Sequence, residues 1–237
     1  MAKITAVISG KGGVGKTTTS VNIGLHSHDL GAETVVIEGN LTSPNLAHHL
    51  GQTHFPVTLH DAMAGTHPVQ NAIYKHGSGL HIIPADIDVR HQKLNDYTEY
   101  GKVLQNLHLF TDHVVIDGSP GLGHDTEHLI DLADGIIIVT SPTQTAIEDA
   151  KRVIQHAQEN NAIVEGVVLN KYRTFSWHTL GKNAVQSQLH VPVVATIPYD
   201  RRFRKTLNHK TPYSHKYPRR KASREFRSVA ELLTNRA

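Results

Sequence analysis

The 237-residue sequence contains no cysteine. That absence removes disulfides, thiolate zinc sites and iron–sulfur ligation, and a chain without thiols fits a reducing cytosol. No run of 18 consecutive apolar residues occurs, so no segment reads as a membrane-spanning helix. Residues 2–9 are apolar but pass straight into a glycine loop without a small-residue cleavage site, and are not expected to act as a signal peptide. Aromatic residues make up only 5 % of the chain and no base-reading motif is visible, so any nucleic-acid contact would be independent of sequence.

Charge is plentiful but uneven. The net charge is +3. Residues 201–237 hold 12 of the 24 Lys and Arg and only two acids, Glu225 and Glu231, for a local charge of +10. The preceding 200 residues carry −7. A basic tail on an acidic body suggests an anionic partner: nucleic acid, a membrane surface or an acidic protein. Histidine is abundant, with 19 residues, including the close set His26, His28, His48 and His49. No zinc-type helical pair is expected among the histidines, which read as polar surface residues.

The length suits one domain with a real core, and no internal repeat or low-complexity linker divides it. Short β-branched runs alternate with helical patterns. Strands are expected at 4–9, 34–37, 80–84, 113–117, 135–140, 163–169 and 193–198, and helices at 16–30, 102–109, 145–160 and 180–189. This alternation predicts an α/β fold, a mostly parallel twisted sheet with helices on both faces. Residues 208–218, with Pro212 and Pro218, should form a loop. A final amphipathic helix over about 219–234 then carries the stripe Ala222, Phe226, Val229, Ala230 and Leu233. Because the stripe ends four residues before Ala237, core packing is expected of it rather than lipid anchorage.

Gly10-Lys11-Gly12-Gly13-Val14-Gly15-Lys16-Thr17 satisfies G-x-x-x-x-G-K-[ST] between a strand and a helix, the context the motif requires. Glycines let successive backbone N–H groups turn inward, where they and the positive helix end receive phosphate oxygens. Lys16 should reach the outer phosphates and the Thr17 hydroxyl should ligate Mg²⁺. The apolar run Val114-Val115-Ile116 ends in Asp117, placed to hold Mg²⁺ through water. Gly118-Ser119-Pro120-Gly121 then reads as a flexible turn suited to sensing a terminal phosphate.

These residues resemble the MinD/ParA family of deviant Walker A ATPases, in an archaeal-type MinD-like form. Lys11 stands where that family carries its signature lysine, in Lys-Gly-Gly-Val-Gly-Lys-Thr-Thr. Thr42-Ser43-Pro44-Asn45-Leu46, Thr58-Leu59-His60-Asp61, the Asp117–Gly121 segment and residues 221–226 are similar to further family segments. The resemblance implies a P-loop NTPase that binds ATP with Mg²⁺ through residues 10–18, with Thr18 closing the set. It implies a homodimer in the ATP state, with Lys11 reaching the partner's phosphates, and a role in positioning a cellular component from the cytoplasm, at a membrane or on the nucleoid. It also places Asn170 and the loop Pro198-Tyr199-Asp200 beside adenine. The guanine-reading carboxylate is missing from Asn170-Lys171-Tyr172-Arg173, which favours ATP over GTP.

One departure stands out. Family members usually carry Asp-x-Asp at the end of the second strand, where this chain has Glu38-Gly39-Asn40. The second aspartate orients and activates the attacking water. Asn40 can hydrogen-bond water but cannot take its proton, and Glu38 is one methylene longer. Slow hydrolysis and a long-lived ATP dimer follow as expectations, with Glu38 as the alternative water-orienting group. Iron–sulfur carriers and nitrogenase reductase share this loop but need interface cysteines. Tyrosine kinases of the lineage end in a tyrosine cluster, whereas Tyr213 and Tyr217 lie scattered among bases. What remains is a MinD-like positioning ATPase, a ParA-like protein riding on DNA through the basic residues 201–227, or an ATP-locked scaffold with little turnover.

Overall fold

The structure is a computed structural model that describes residues 2–52, 54–86, 96–173 and 180–234. In chain order the elements begin β1 (Lys3–Ser9), α1 (Lys16–Asp29), β2 (Thr34–Glu38), α2 (Leu46–Leu50) and α3 (Leu59–Met63). A short 3₁₀ turn, Val69–Ala72, leads to β3 (Tyr74–Lys75), β4 (His81–Ile83), α4 (Tyr97–Leu107), β5 (His113–Pro120) and α5 (His124–Leu132). Then follow β6 (Gly135–Thr140), α6 (Gln144–Glu159), β7 (Val164–Tyr172), α7 (Lys182–Leu189) and β8 (Val193–Pro198). Three helices close the described chain: α8 (Arg202–Asn208), α9 (Tyr213–Lys216) and α10 (Lys221–Thr234).

The sheet order is β3-β4-β2-β5-β1-β6-β7-β8. The pairs are parallel except β3 with β4 at one edge. Its strands are apolar on both faces, as a sheet covered by helices demands. Alternate side chains sort into two cores. Ile4, Ala6, Ile8, Val35, Ile37, Val114 and Ile116 pack beneath α3 to α7. Val7, Val36, Val115, Ile137 and Val139 face α1, α2, α9 and α10. The expected fold class is therefore the observed one.

α1 is buried over Thr19–Ser27 because it lies between the sheet and α10. A Cβ on Gly24 would come within 2.3 Å of Val36 Cγ2, so the missing side chain lets α1 sit close on β2. In α10 the stripe from Ala222 to Leu233 is buried, so it packs on α1 and β8 as core.

Several local expectations need correction. The helix expected at 102–109 begins earlier, at Tyr97, because Asp96 accepts the Thr98 N–H at 2.8 Å as its N-cap. Residues 118–120 continue β5 instead of turning. The backbone of Gly118 runs so close to β1 that a Cβ would meet the Val7 carbonyl at 2.9 Å, and Gly121 turns the chain only after pairing with Ser9. The expected loop at 208–218 contains α9, nailed down by Tyr213, which is 2 % exposed and stacks on Phe203 at 4.0 Å. The histidines are not simply surface residues either: His26, His60 and His113 are buried.

Candidate nucleotide-binding site

The glycine loop joins β1 to α1 at the carboxyl end of the central strands. Gly10 is needed for proximity, since a Cβ there would lie 2.3 Å from the backbone of Asp149 in α6. Gly15 is needed for conformation: its φ is 101°, and a Cβ would strike the Asn170 amide. Asn170 holds the loop from behind, donating to the Val14 carbonyl at 2.7 Å. Lys171 donates to the Gly13 carbonyl at 2.6 Å.

Lys16 lies inside this loop, 3.3 Å from Asp117 Oδ1, with both side chains largely buried. Ser20 donates to the same oxygen at 2.9 Å. Asp117 Oδ2 is buried and has no hydrogen-bond partner. Next to Asp117, in register across β2 and β5, stands Glu38. Burial and the Asp117 carboxylate push Glu38 up to about 8, against the pull of backbone amides and Lys16. The orphaned, buried oxygen of Asp117 fits a divalent cation, which prefers hard carboxylate oxygen. Thr17, next to Lys16 in the chain, offers a second hard oxygen.

Glu38 ends β2, where the sequence places it, and its carboxyl group is engaged by backbone amides. Its Oε1 accepts the Asn40 N–H at 3.0 Å, and its Oε2 accepts those of Asn45 at 2.6 Å and Leu46 at 2.8 Å. The carboxyl group therefore fastens the loop 39–46 to the end of β2. Asn40, 9 % exposed, uses its Oδ1 to accept the Ser43 N–H within that loop. Tyr97 and Tyr100 brace the same strand end by donating to the carbonyls of Gly39 and Glu38, each at 3.2 Å.

Two participants escaped the sequence reading. Asp125, in the first turn of α5, accepts the Thr42 hydroxyl at 3.2 Å and the Ser119 hydroxyl at 3.1 Å on one oxygen. It thereby joins the loop after β2 to the end of β5. The only signal available was an acid at a helix start. The second is α8. Phe203 and Leu207 join Gly13, Gly15, Thr18, Asn170, Pro198, Tyr199 and Asp200 around a cleft of about 200 Å³. The expected adenine-side residues therefore do converge beside the phosphate loop. Asp200 also accepts from Tyr213 at 2.8 Å and from Arg202, and backbone and side-chain hydrogen bonds hold its carboxyl below the ordinary range despite burial.

Lys11 stands apart from Lys16. Its ammonium donates to Thr145 Oγ1 at 3.2 Å, at the start of α6 on the rim of the loop. The two lysines of one loop are thus divided, one directed to its own site and one to the surface.

A parallel sheet whose first strand leads through a glycine cradle into a helix, with a buried lysine facing a strand-end aspartate, defines a P-loop NTPase. The chain belongs to the ParA family: the family model, described as NUBPL iron-transfer P-loop NTPase, matches residues 1–234. It is 31 % identical over 233 residues to an uncharacterized ATP-binding protein of Methanocaldococcus jannaschii, covering 98 % of this chain and 88 % of that protein. The cell division ATPase MinD of Pyrococcus furiosus superposes with a TM-score of 0.91 at 29 % identity, with 100 % of each chain covered. The septum site-determining protein MinD of Pyrococcus horikoshii, complexed with Mg-ADP, gives 0.89 at 29 % identity, covering 98 % of this chain and 95 % of that one. The likeness to archaeal MinD-type ATPases expected from the sequence is borne out.

Proposed function

We propose that this protein is an ATP-driven switch that dimerises when ATP is bound, hydrolyses it slowly and helps to position a cellular component. The division of labour between Lys16 and Lys11 carries the reading. Lys16, with the amides of residues 10–17, receives the phosphates of the protomer's own ATP. Lys11, held on the rim by Thr145, is free to swing to the phosphates of a second copy. A cation arriving across an interface neutralises charge on the transferring group and makes association depend on ATP.

Thr17 and Asp117 would hold Mg²⁺, which supplies charge neutralisation between the outer phosphates when bound. Asn170, Pro198 and Asp200 would border adenine in the cleft beside Gly15. Glu38 is spent on the loop amides, so Asn40 is left to face the attacking water without a carboxylate, and turnover is slow. The iron-transfer part of the family description does not carry over, because no cysteine is present to hold iron–sulfur chemistry. MinD relatives that act in cell division support the positioning role.

The partner surface is anionic. Arg201, just before α8, and Arg204, Lys205, Lys216, Arg219, Arg220, Lys221 and Arg224, on or between α8 and α10, are all exposed. No helix of the described residues is long and apolar enough to cross a membrane, and the apolar stripe of α10 is spent on the core, so attachment would be peripheral and electrostatic.

The test is the mass in solution with ATP, ADP or no nucleotide, alongside phosphate release. A dimer with ATP alone is expected. A monomer under all three conditions refutes the switch. Sedimentation with anionic vesicles and a mobility shift with duplex DNA, each with and without ATP, then distinguish a membrane-cycling protein from one that rides on DNA.

A further inference from the structure

At the end of α1 remote from the phosphate loop, two imidazoles and a carboxylate meet. His28 lies in the last turn of α1, Glu33 immediately precedes β2 and His81 opens β4. One ligand atom from each lies within 4.8 Å of the other two. We propose that His28, Glu33 and His81 form a binding site for a divalent late-transition-metal ion, with zinc as the ion it takes.

The donor set selects the ion. Two imidazole nitrogens and one carboxylate suit zinc and its neighbours, whereas magnesium prefers oxygen alone. The ring arrangement fits too. In a tetrahedral site with Zn–N near 2.0–2.1 Å, two imidazole centroids fall about 5 Å apart. Here they are 5.7 Å apart with planes at 74°, edge to face rather than stacked. Bringing the three ligand atoms to a tetrahedral edge of about 3.3 Å requires only side-chain rotation by an ångström or so.

The frame around them is fixed. Glu33 donates its N–H to Asp112 Oδ2 at 2.9 Å, and its carbonyl accepts the N–H groups of Asp112 at 2.7 Å and His113 at 3.2 Å. His81 stands beside β2, in register with Val35. Its cross-strand neighbour Lys75 is an exposed cation that can turn outward. An ion here would tie α1 to the strands β2 and β4. It would also be separate from the magnesium site, since His28 is twelve residues along α1 from Lys16, about 18 Å. Three protein ligands leave a fourth position for water.

The competing candidate is on α5. His124 and His128 have their Nε2 atoms 3.1 Å apart, one turn from each other. That His-x-x-x-His pair corrects the expectation that the histidines form none. It offers two ligands on one helix, and among the described residues only the His28 group offers three.

The experiment is zinc chloride titration by calorimetry on the full chain without an affinity tag or nucleotide. Wild type is compared with His81→Gln, Glu33→Gln and the double variant His124→Ala/His128→Ala. Wild type should bind one zinc ion with micromolar or tighter affinity. Each single variant should lose about tenfold or more, and the double variant should match wild type. Zinc should raise the melting temperature of wild type but not of His81→Gln, whose melting temperature without zinc should equal that of wild type. A zinc-edge anomalous peak should appear between the three side chains. The proposal is overturned if wild type takes up no zinc, if His81→Gln and Glu33→Gln bind it as wild type does, or if the α5 double variant abolishes binding.

Discussion

Glu38 Oε2 accepts the backbone N–H of Asn45 at 2.6 Å. This bond and its two companions make a buried acid the fastening of the loop that follows β2. Removing it strands three backbone donors, each costing about 1–3 kcal/mol when left unpaired. Some donors would find water in the space vacated, so Glu38→Ala should lose about 3 kcal/mol of stability, and hydrogen exchange over residues 40–46 should rise. Unchanged exchange in that segment would show that the loop is held elsewhere.

Asn40 supplies the loop with a carbonyl oxygen for the Ser43 amide, a bond an aspartate could make equally well. Asn40→Asp should therefore fold as wild type and, if the proposed function places the attacking water here, add a carboxylate beside it. General-base help contributes about 10²–10⁴, and a gain of at least about tenfold in steady-state phosphate release is expected. No gain would refute our account of this position.

Lys11 should be separable from nucleotide binding. Lys11→Ala keeps the loop amides and Lys16, so binding of Mg-ADP to the monomer should stay close to wild type by calorimetry. The ATP-dependent dimer should vanish, and turnover should fall by about a hundredfold, as for loss of one charge-stabilising donor. A dimer that persists with ATP in this variant would remove Lys11 from the interface.

His113 links stability to pH. It is 2 % exposed, between the hydroxyls of Thr5 at 3.0 Å and Ser27 at 3.1 Å, and burial pushes it down to about 4. In the unfolded chain it titrates near 6.5. The unfolded state therefore binds more protons between those values, and stability falls as pH drops from 6.5 towards 4. The loss is about 3 kcal/mol at full extent. Thermal melts from pH 7.5 to 4.5 should show a steeper decline for wild type than for His113→Gln; parallel curves would refute the assignment.

The fold and the phosphate loop were legible because both write themselves in short-range pattern. β-branched runs such as Ile136-Ile137-Ile138-Val139 read as strands buried on both faces, and the spacing from Gly10 to Thr17 specifies a backbone shape as well as a chemistry. The division of roles around Asp117 was less visible, because it depends on register. Nothing local reveals that Glu38 will lie opposite Asp117 and be consumed by amides seven and eight residues onward. The His28, Glu33 and His81 cluster was hidden for the same reason: His81 is far along the chain and reaches the other two only through the pairing of β4 with β2. α9 was missed because two prolines and many bases outweigh, in composition, the single buried ring of Tyr213 that fixes it.

Thr42 and Ser119 hang from the same oxygen of Asp125. An ionised carboxylate oxygen has lone pairs enough for both donors, so one side chain in the first turn of α5 anchors two separate stretches of chain at a single atom. Replacing Asp125 would therefore loosen the loop after β2 and the end of β5 together, whereas loss of either hydroxyl alone would loosen only its own segment.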